Sequence, residues 1–437
     1  MLDIKFIKAN KDAVIANMRK KNRDNFADID SLISLDDLSK KLQAENQILR
    51  QSRNTLSEQI NKTKKEGKDV ADLLRQVKEL PLRIKEMDEK LSQTEVQIAV
   101  LERKIPNMMH PDVPAGVDGT QNVERKRFGE LTKLDFAPKS HQEILTGLGM
   151  GDFESAARTS GNGFYYLEGD VALLNQAILR FAIDIMVDHG FNYVETQYMI
   201  HGDVIKNVVD LADMENQIYK IHDEDLYLIG TSEHSLIGRH IGATIAEKSL
   251  PLRQTSYSMC FRREKGSHGI DERGLFRTHQ FNKIEMVVIC KPEESMKQWE
   301  QMRDITVEIF TKLEIPVREL LICSGDLGDL KHIQVDIEAW SPRRNGFFEV
   351  GSCSNLTEAQ AQMLGIRAKK ANGDKYFPHT LNNTAIATSR ALVAIIENNQ
   401  TKETQTIEIL NKTIYRIEYN LQKLCQKSKI DYEWVPN

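Results

Sequence analysis

From about residue 35 to residue 105 the apolar positions keep a heptad rhythm with almost no Gly or Pro. In the second half Val77, Leu80, Ile84, Met87, Leu91, Thr94, Ile98, Leu101 and Ile105 alternate steps of three and four, the seam of a helix that packs along another helix. In the first half Leu42, Leu49, Leu56 and Thr63 recur every seven residues, with Leu38 and Ile60 on the adjoining row. The break at Glu66-Gly-Lys-Asp69 is short enough to make the two helices antiparallel neighbours. Helices of about 30 residues at about 1.5 Å per residue predict an arm of about 45 Å. Pro81 is expected to interrupt and kink the second helix. Residues 1 to about 34 are expected to add short helices at the base. Ile105-Pro-Asn and His110-Pro-Asp-Val-Pro-Ala-Gly116 read as a stiff, extended connector.

Beyond Val117 helices and strands alternate without a strict βαβ rhythm, and strands cluster from Leu226 to Ile289. This predicts an α+β body on a mostly antiparallel sheet. Within it, strand-like alternation on both sides of a glycine-broken, charged loop predicts an antiparallel hairpin over residues 260–285. Past Gln400, Ile407, Leu410, Ile414, Ile417, Leu421 and Leu424 step at helical spacing and predict an appended amphipathic helix. The expected organisation is an arm-bearing domain over 1–110 and a body over 111–437, with 401–437 as a divergent extension.

Composition adds mainly exclusions. The 437 residues are 40% hydrophobic and 28% charged, with a net charge of -5. No stretch approaches the length of a membrane span, and the start lacks a signal-peptide pattern. Five scattered cysteines without a CxxC pair argue against a disulfide framework and a cysteine zinc site, and fit a cytoplasmic protein. Neither GxxxxGK[ST] nor GxGxxG occurs, so any nucleotide must be held by side chains on strands.

The hairpin offers such side chains. Residues two apart on a strand share a face, which pairs Arg262 with Glu264 and groups Arg277, Phe281 and Glu285. Two cations, two carboxylates and an aromatic plate suit a polyphosphate, a nucleobase and a substrate ammonium. Tyr227-Leu-Ile-Gly-Thr-Ser-Glu233 reads as another strand, with Thr231 and Glu233 on one face. Lys62, Lys64, Lys65 and Lys68 gather at the arm's tip, a cationic end suited to a phosphate backbone.

Cys260-Phe-Arg-Arg-Glu264, Gly266-Ser-His-Gly-Ile-Asp271 and Arg277-Thr-His-Gln-Phe-Asn-Lys283 together resemble motif 2 of the class II aminoacyl-tRNA synthetases, in the form of the seryl-tRNA synthetase family. The resemblance extends over the arm and the later segments, except for the last ~35 residues. It implies an antiparallel-sheet class II catalytic domain that joins serine to tRNA(Ser) at the expense of ATP, with Mg²⁺ and as a homodimer. Thr231, Glu233, Arg262, Glu285, Asn382 and Thr384 would then bind serine; which glutamate takes the ammonium and which the hydroxyl stays open. Arg262, Arg263, Glu264, Arg277, Thr278, His279, Gln280, Phe281, Glu349, Val350, Gly351, Ser352 and Arg390 would bind ATP. Arg262 and Arg390 would be the catalytic cations, and Glu349 with Ser352 would hold the metal. The four tip lysines would meet the tRNA. Gly190-Phe-Asn-Tyr-Val-Glu-Thr-Gln-Tyr-Met199 matches motif 1 with Gln197 at its hallmark proline, and Leu381–Arg390 matches motif 3 in a form closer to archaeal and eukaryotic members. Two other readings remain: a relative that loads a carrier protein, which typically lacks the arm, and a non-catalytic coiled-coil scaffold.

Overall fold

The computed structural model describes residues 2–209, 217–264 and 274–402. The glycine-broken part of the hairpin loop and the amphipathic pattern from Ile407 to Leu424 lie outside these residues. The chain divides into two compact units, Met1–Met108 and Met109–Asn437.

The first unit is a helical hairpin on a small base. Helices α1 (Ile4–Ala9) and α2 (Lys11–Lys20) precede α3 (Ala27–Lys65) and α4 (Ala71–Glu102). Ile7, Val14, Met18, Ile29, Leu32 and Ile105 form one buried cluster. Ile29 and Leu32 extend the α3 stripe into that cluster, so the long helix starts at Ala27 rather than near residue 35. Every expected α4 seam position from Val77 to Leu101 is buried or half-buried. On α3, Leu42 and Ile60 are buried, whereas Leu38 is 43% exposed and Ser39 takes the inward place. A polar link crosses the seam: Asn46 Nδ2 donates to Asp88 Oδ1 at 2.6 Å, and Arg50 reaches both Asp88 oxygens at 2.9 and 2.8 Å. A lone polar pairing within an apolar seam disfavours slipped registers. Helix α4 runs unbroken through Pro81. The expected interruption does not occur, because buried Leu80 and Ile84 anchor the helix on both sides of the lost N–H.

The turn is set by Gly67, at φ +70°. Its N–H donates to Lys64 O, and Lys68 N–H donates to Thr63 O, both at 3.1 Å. This satisfies two terminal carbonyls of α3 with a left-handed residue in between, the Schellman arrangement. Lys62, Lys64, Lys65 and Lys68 are all exposed around it, with Lys68 paired to Glu66 at 2.8 Å.

The second unit is built on an eight-stranded sheet. Its strands are β1 (Val123–Phe128), β2 (Asn192–Tyr193), β3 (Leu252–Phe261), β4 (Gln280–Cys290), β5 (Val317–Leu321), β6 (Ile333–Ser341), β7 (Gly346–Asn355) and β8 (His379–Ala387). The order is β1-β5-β6-β7-β8-β4-β3-β2, and every neighbouring pair is antiparallel except β2 with β3. The α+β class follows. Half of the sheet nevertheless comes from residues 317–387, well past the expected strand cluster.

Helices α5 (Gly169–Asp188), α7 (Ser295–Lys312) and α8 (Thr388–Asn398) cover one sheet face, while α6 (Ser232–Gly238) lies on the other. Strand β4 is therefore covered on both sides. Its Ile284, Met286, Val288 and Cys290 enter the large core with α5, α7 and α8. Val287 and Ile289 enter a second core with Leu236 and Ile237 of α6. Phe281, Lys283 and Glu285 continue that second face toward the open end of the strand, as period-two alternation requires.

Glu397 of α8 is fully buried and accepts hydrogen bonds from His141 Nδ1 at 3.0 Å and Ser341 Oγ at 2.5 Å. Burial alone would raise its pKa, but these hydrogen bonds outweigh burial and hold it below the ordinary value. A depressed carboxyl contributes stability that is complete above the unfolded-state value, about 4.3, and is lost as pH falls through the lower folded-state value. Glu397→Gln is expected to lower Tm near neutrality by several degrees, yet to lose less Tm than the parent between about pH 5 and about pH 3. Thermal melts across that range check this, and parallel Tm–pH curves would contradict it. In the arm, Gly67→Val forces a β-branched residue into the left-handed region, at a cost of about 1–2 kcal/mol. Calorimetry of the whole chain should show a lowered arm transition and an unchanged transition for the second unit.

Candidate active site

The buried surface of β4 carries an unusual pair. Lys283 is 6% exposed and Glu285 is 2% exposed, and Lys283 Nζ lies 2.5 Å from the Glu285 carboxylate. Lys283 Nζ also donates to Thr231 Oγ1 at 3.3 Å. Thr231 does not sit on a strand face: it is the N-cap of α6, and its hydroxyl accepts from Glu233 N. The expected strand ends at Leu228, and Glu233 lies in the first helical turn. A Thr followed by helix-forming residues favours a cap over a longer strand. The turn still aims Glu233 at the same cluster, where Gln360 Nε2 donates to its Oε1 at 2.8 Å. Burial raises the Glu233 pKa, and the charge of Glu285 raises it further, against the opposing effects of Gln360, Lys283 and Asn382. Thr384 of β8 stands opposite Glu285 in the ladder, and Asn382 opposite Val287, so both face this cluster. Next to it, burial and the charges of Arg262 and Lys283 push the His234 pKa down to about 3, so its ring is neutral.

From this cluster an open cleft extends along the sheet, lined by residues that include Arg262, Glu264, Arg277, Phe281, Lys283, Glu349 and Arg390. Paired strand β3 ends at Phe261, and Glu264 adopts φ +43°. Arg262, Glu264 and Arg277 thus converge from the hairpin's loop ends rather than from strand positions. Arg277 Nη1 bonds Glu264 Oε2 at 3.0 Å. The Arg262 guanidinium lies 5.5 Å over the Phe281 ring and donates to Gly230 O at 3.3 Å. Across the cleft Arg390, at the start of α8, bonds Glu349 O at 2.8 Å and Glu349 Oε2 at 3.1 Å. Arginines so placed, on an open cleft with a flat aromatic wall, have the chemistry to hold a nucleoside polyphosphate.

A β-bulge shapes the far wall. Ile337 faces Gly351 and Glu338 faces Glu349, leaving Val350 unpaired. The extra residue shifts the alternation, so Glu349 and Ser352 share one face with Asp336, which stands opposite Ser352. Burial and then the charge of Glu349 raise the Asp336 pKa. Partial burial would raise Glu349 too, but the charge and hydrogen bond of Arg390 hold it low. Two carboxylates and a hydroxyl beside a polyphosphate cleft fit Mg²⁺, which takes few protein ligands and leaves the rest to phosphate and water. Among the described residues no group of three or more His, Cys, Asp or Glu side chains is set to hold a metal unaided.

Of the residues expected to bind ATP, Arg262, Glu264, Arg277, Thr278, Phe281, Glu349, Val350, Gly351 and Arg390 line the cleft. Arg263, His279, Gln280 and Ser352 do not. Arg263 N–H donates to Gln217 O at 2.8 Å. His279 stacks on Phe164 with ring centroids 5.3 Å apart, and its Nδ1 lies 2.9 Å from Arg262 O while Arg262 N–H donates to His279 O at 2.9 Å. Gln280 pairs with Phe261 in the ladder. Sequence reasoning missed Lys283, although its place between Phe281 and Glu285 gave the needed signal. It also missed Asp336 and Gln360, whose partners are distant in sequence.

Comparison with known proteins agrees with this geometry. Residues 218–399 match the tRNA synthetase class II core domain (G, H, P, S and T), and residues 1–109 match the seryl-tRNA synthetase N-terminal domain. The serine--tRNA ligase of Methanospirillum hungatei is 45% identical over 92% of this chain and 96% of its own length. That of Methanocella arvoryzae is 42% identical over 96% of this chain and 100% of its own length. The seryl-tRNA synthetase of Pyrococcus horikoshii, solved with ATP, superposes with a TM-score of 0.85 at 38% identity, covering 94% of this chain and 98% of that one. The chain belongs to the seryl-tRNA synthetases, the class II serine–tRNA ligases.

Proposed function

We propose that the cleft and the buried cluster hold ATP and serine side by side, with each group doing one task. Support comes from one observation above all: Glu233 and Glu285 share a buried space with Lys283, directly beside the arginines of the cleft. A substrate ammonium adds a positive charge between two carboxylates whose mutual repulsion is otherwise only partly offset. Thr231, Asn382 and Thr384 frame the remaining amino-acid contacts. Acceptors that pair with the serine hydroxyl discriminate against alanine, because alanine leaves them unpaired.

The serine carboxylate is ionised at neutral pH, so no general base is required for activation. Its oxygen attacks the α-phosphorus, the bond to the bridging oxygen breaks, and pyrophosphate departs. Arg262 lies between the two substrates and stabilises the α-phosphate, and Arg390 takes the terminal phosphate. Phe281 supplies the adenine plate and Glu264 accepts from its amino group, with Arg277 holding Glu264 in place. Thr278, Val350 and Gly351 complete the nucleotide wall. His279 fixes the Arg262 main chain, while Gln280 and Arg263 tether the hairpin. Glu349, Ser352 and Asp336 would hold Mg²⁺, which when bound neutralises charge on the β- and γ-phosphates. Preorganised cations and orientation carry the chemistry. The terminal ribose of tRNA(Ser) then attacks the seryl carbonyl and AMP leaves. The exposed lysines at the Gly67 turn meet the tRNA backbone. The enzyme works in the cytoplasm as a homodimer, with residues 190–199 in the interface.

Among the twenty amino acids, serine is expected to give ATP–pyrophosphate exchange well above the rest. Arg262→Ala and Arg390→Ala should each lower the exchange rate by about 10²- to 10³-fold while the protein stays folded. Near-parental exchange in both variants would contradict these roles. Deleting residues 42–98, or changing all four tip lysines to Ala, should leave serine exchange largely intact while tRNA aminoacylation falls, completely for the deletion. The lysine variant should also show a weaker salt dependence of the KM for tRNA. Equal loss of exchange and aminoacylation would remove the arm from tRNA binding.

A further inference from the structure

Buried Glu397 does more than tie α8 to the body, because both of its oxygens lead to the same aromatic ring. On one branch, His141 Nδ1 and N–H donate to Glu397 Oε1 at 3.0 and 3.3 Å. A proton on Nδ1 leaves Nε2 bare, and that atom accepts from Leu275 N–H at 3.1 Å. Leu275 is fully buried and immediately precedes Phe276 and Arg277, both in the cleft wall. On the other branch, Ser341 Oγ donates to Glu397 Oε2 and accepts from Arg344 N–H at 3.1 Å. The Arg344 guanidinium lies 3.9 Å over the Phe276 ring. Arg390, on the same helix as Glu397, stands 5.1 Å from that ring on its own account.

We propose that the Glu397–His141 pair is a positioning device for the ATP side of the cleft, holding the strand-entry end of the hairpin loop through Leu275 and the Phe276 ring through Arg344. The inference rests on ATP occupying the cleft. Gly274 shows how close the device lies to the loop: a Cβ there would stand 2.5 Å from His141 Nε2, and its φ is +70°. The loop end and the imidazole are thus in direct contact, with no room for a side chain between them. Helix α8 makes the device rigid, since about seven residues at about 1.5 Å each separate Arg390 from Glu397 on one rod. The serine cluster draws on Thr231, Glu233, Lys283 and Glu285, none of which bonds to either branch in the contacts described above.

A buried pair with a merely structural role would move Tm and leave the Michaelis constants alone. A positioning role moves the KM for ATP and spares that for serine. His141→Leu, assayed by serine-dependent pyrophosphate exchange well below its melting temperature, is expected to raise the KM for ATP about tenfold while the KM for serine stays within about twofold. Ser341→Ala, which removes one hydroxyl and preserves the Leu275 branch, should raise it about threefold and serves if His141→Leu does not fold. Glu397→Gln keeps an acceptor for His141 but takes the acceptor from the Ser341 hydroxyl, so it should raise the KM for ATP less than His141→Leu does, despite its lower Tm. An unchanged KM for ATP in His141→Leu or Ser341→Ala, or equal rises for ATP and serine, overturns the proposal. Absence of serine-dependent exchange in the parent would instead overturn the reading of the cleft, and is recognised separately.

Discussion

The whole site depends on a strand that must satisfy two environments at once. Strand β4 places Ile284, Met286 and Val288 in the large core on one face. On the other it places Phe281, Lys283 and Glu285 toward the cleft, followed by Val287 and Ile289 in the second core. A shift of one residue in its pairing would bury the charges in the large core and turn the aliphatic side chains outward. Long ladders with β3 and β8 prevent that shift, and so the register that secures the core also fixes which side chains face the cleft. A buried Lys–Glu pair contributes little net stability, since desolvation offsets the attraction. Its place on this strand fits the proposed role of the cluster in binding charged ligands.

Around that strand, three local irregularities bring in groups that regular elements could not deliver. The cap at Thr231 turns Glu233 inward from a helix. The bulge at Val350 brings Glu349, Ser352 and Asp336 to one face. The loop ends of the hairpin release Arg262 and Arg277 from strand alternation and let them reach the cleft. Charged side chains so gathered cost folding free energy and gain function only if held still. The buried Glu397 network and the His279–Arg262 main-chain bonds provide that restraint.

Much of this could be read from the chain. The arm was legible because heptad spacing is a local signal, and its turn follows from Gly67. The hairpin was legible because alternation and a glycine-rich break lie close together in sequence. The first turns of α3, before residue 35, and the run through Pro81 were not, because burial of Ile29, Leu32, Leu80 and Ile84 against distant residues overrides the local pattern. Thr231 and Glu233 were expected on a strand but sit at a helix N-terminus, since a short strand and a helix N-terminus share the same polar residues there. Asp336, Gln360 and the His141–Glu397 pair join residues tens to hundreds of positions apart, which no spacing rule captures.

The central claim is that the β4 face binds an amino acid and a nucleotide as one continuous unit. A crystal structure of the full chain with a non-hydrolysable seryl-adenylate analogue tests it most directly. The analogue's ammonium is expected within hydrogen-bonding distance of Glu233 or Glu285, its phosphate surrogate beside Arg262, and its adenine against Phe281. An analogue bound with its seryl end away from Glu233, Lys283 and Glu285 would contradict it.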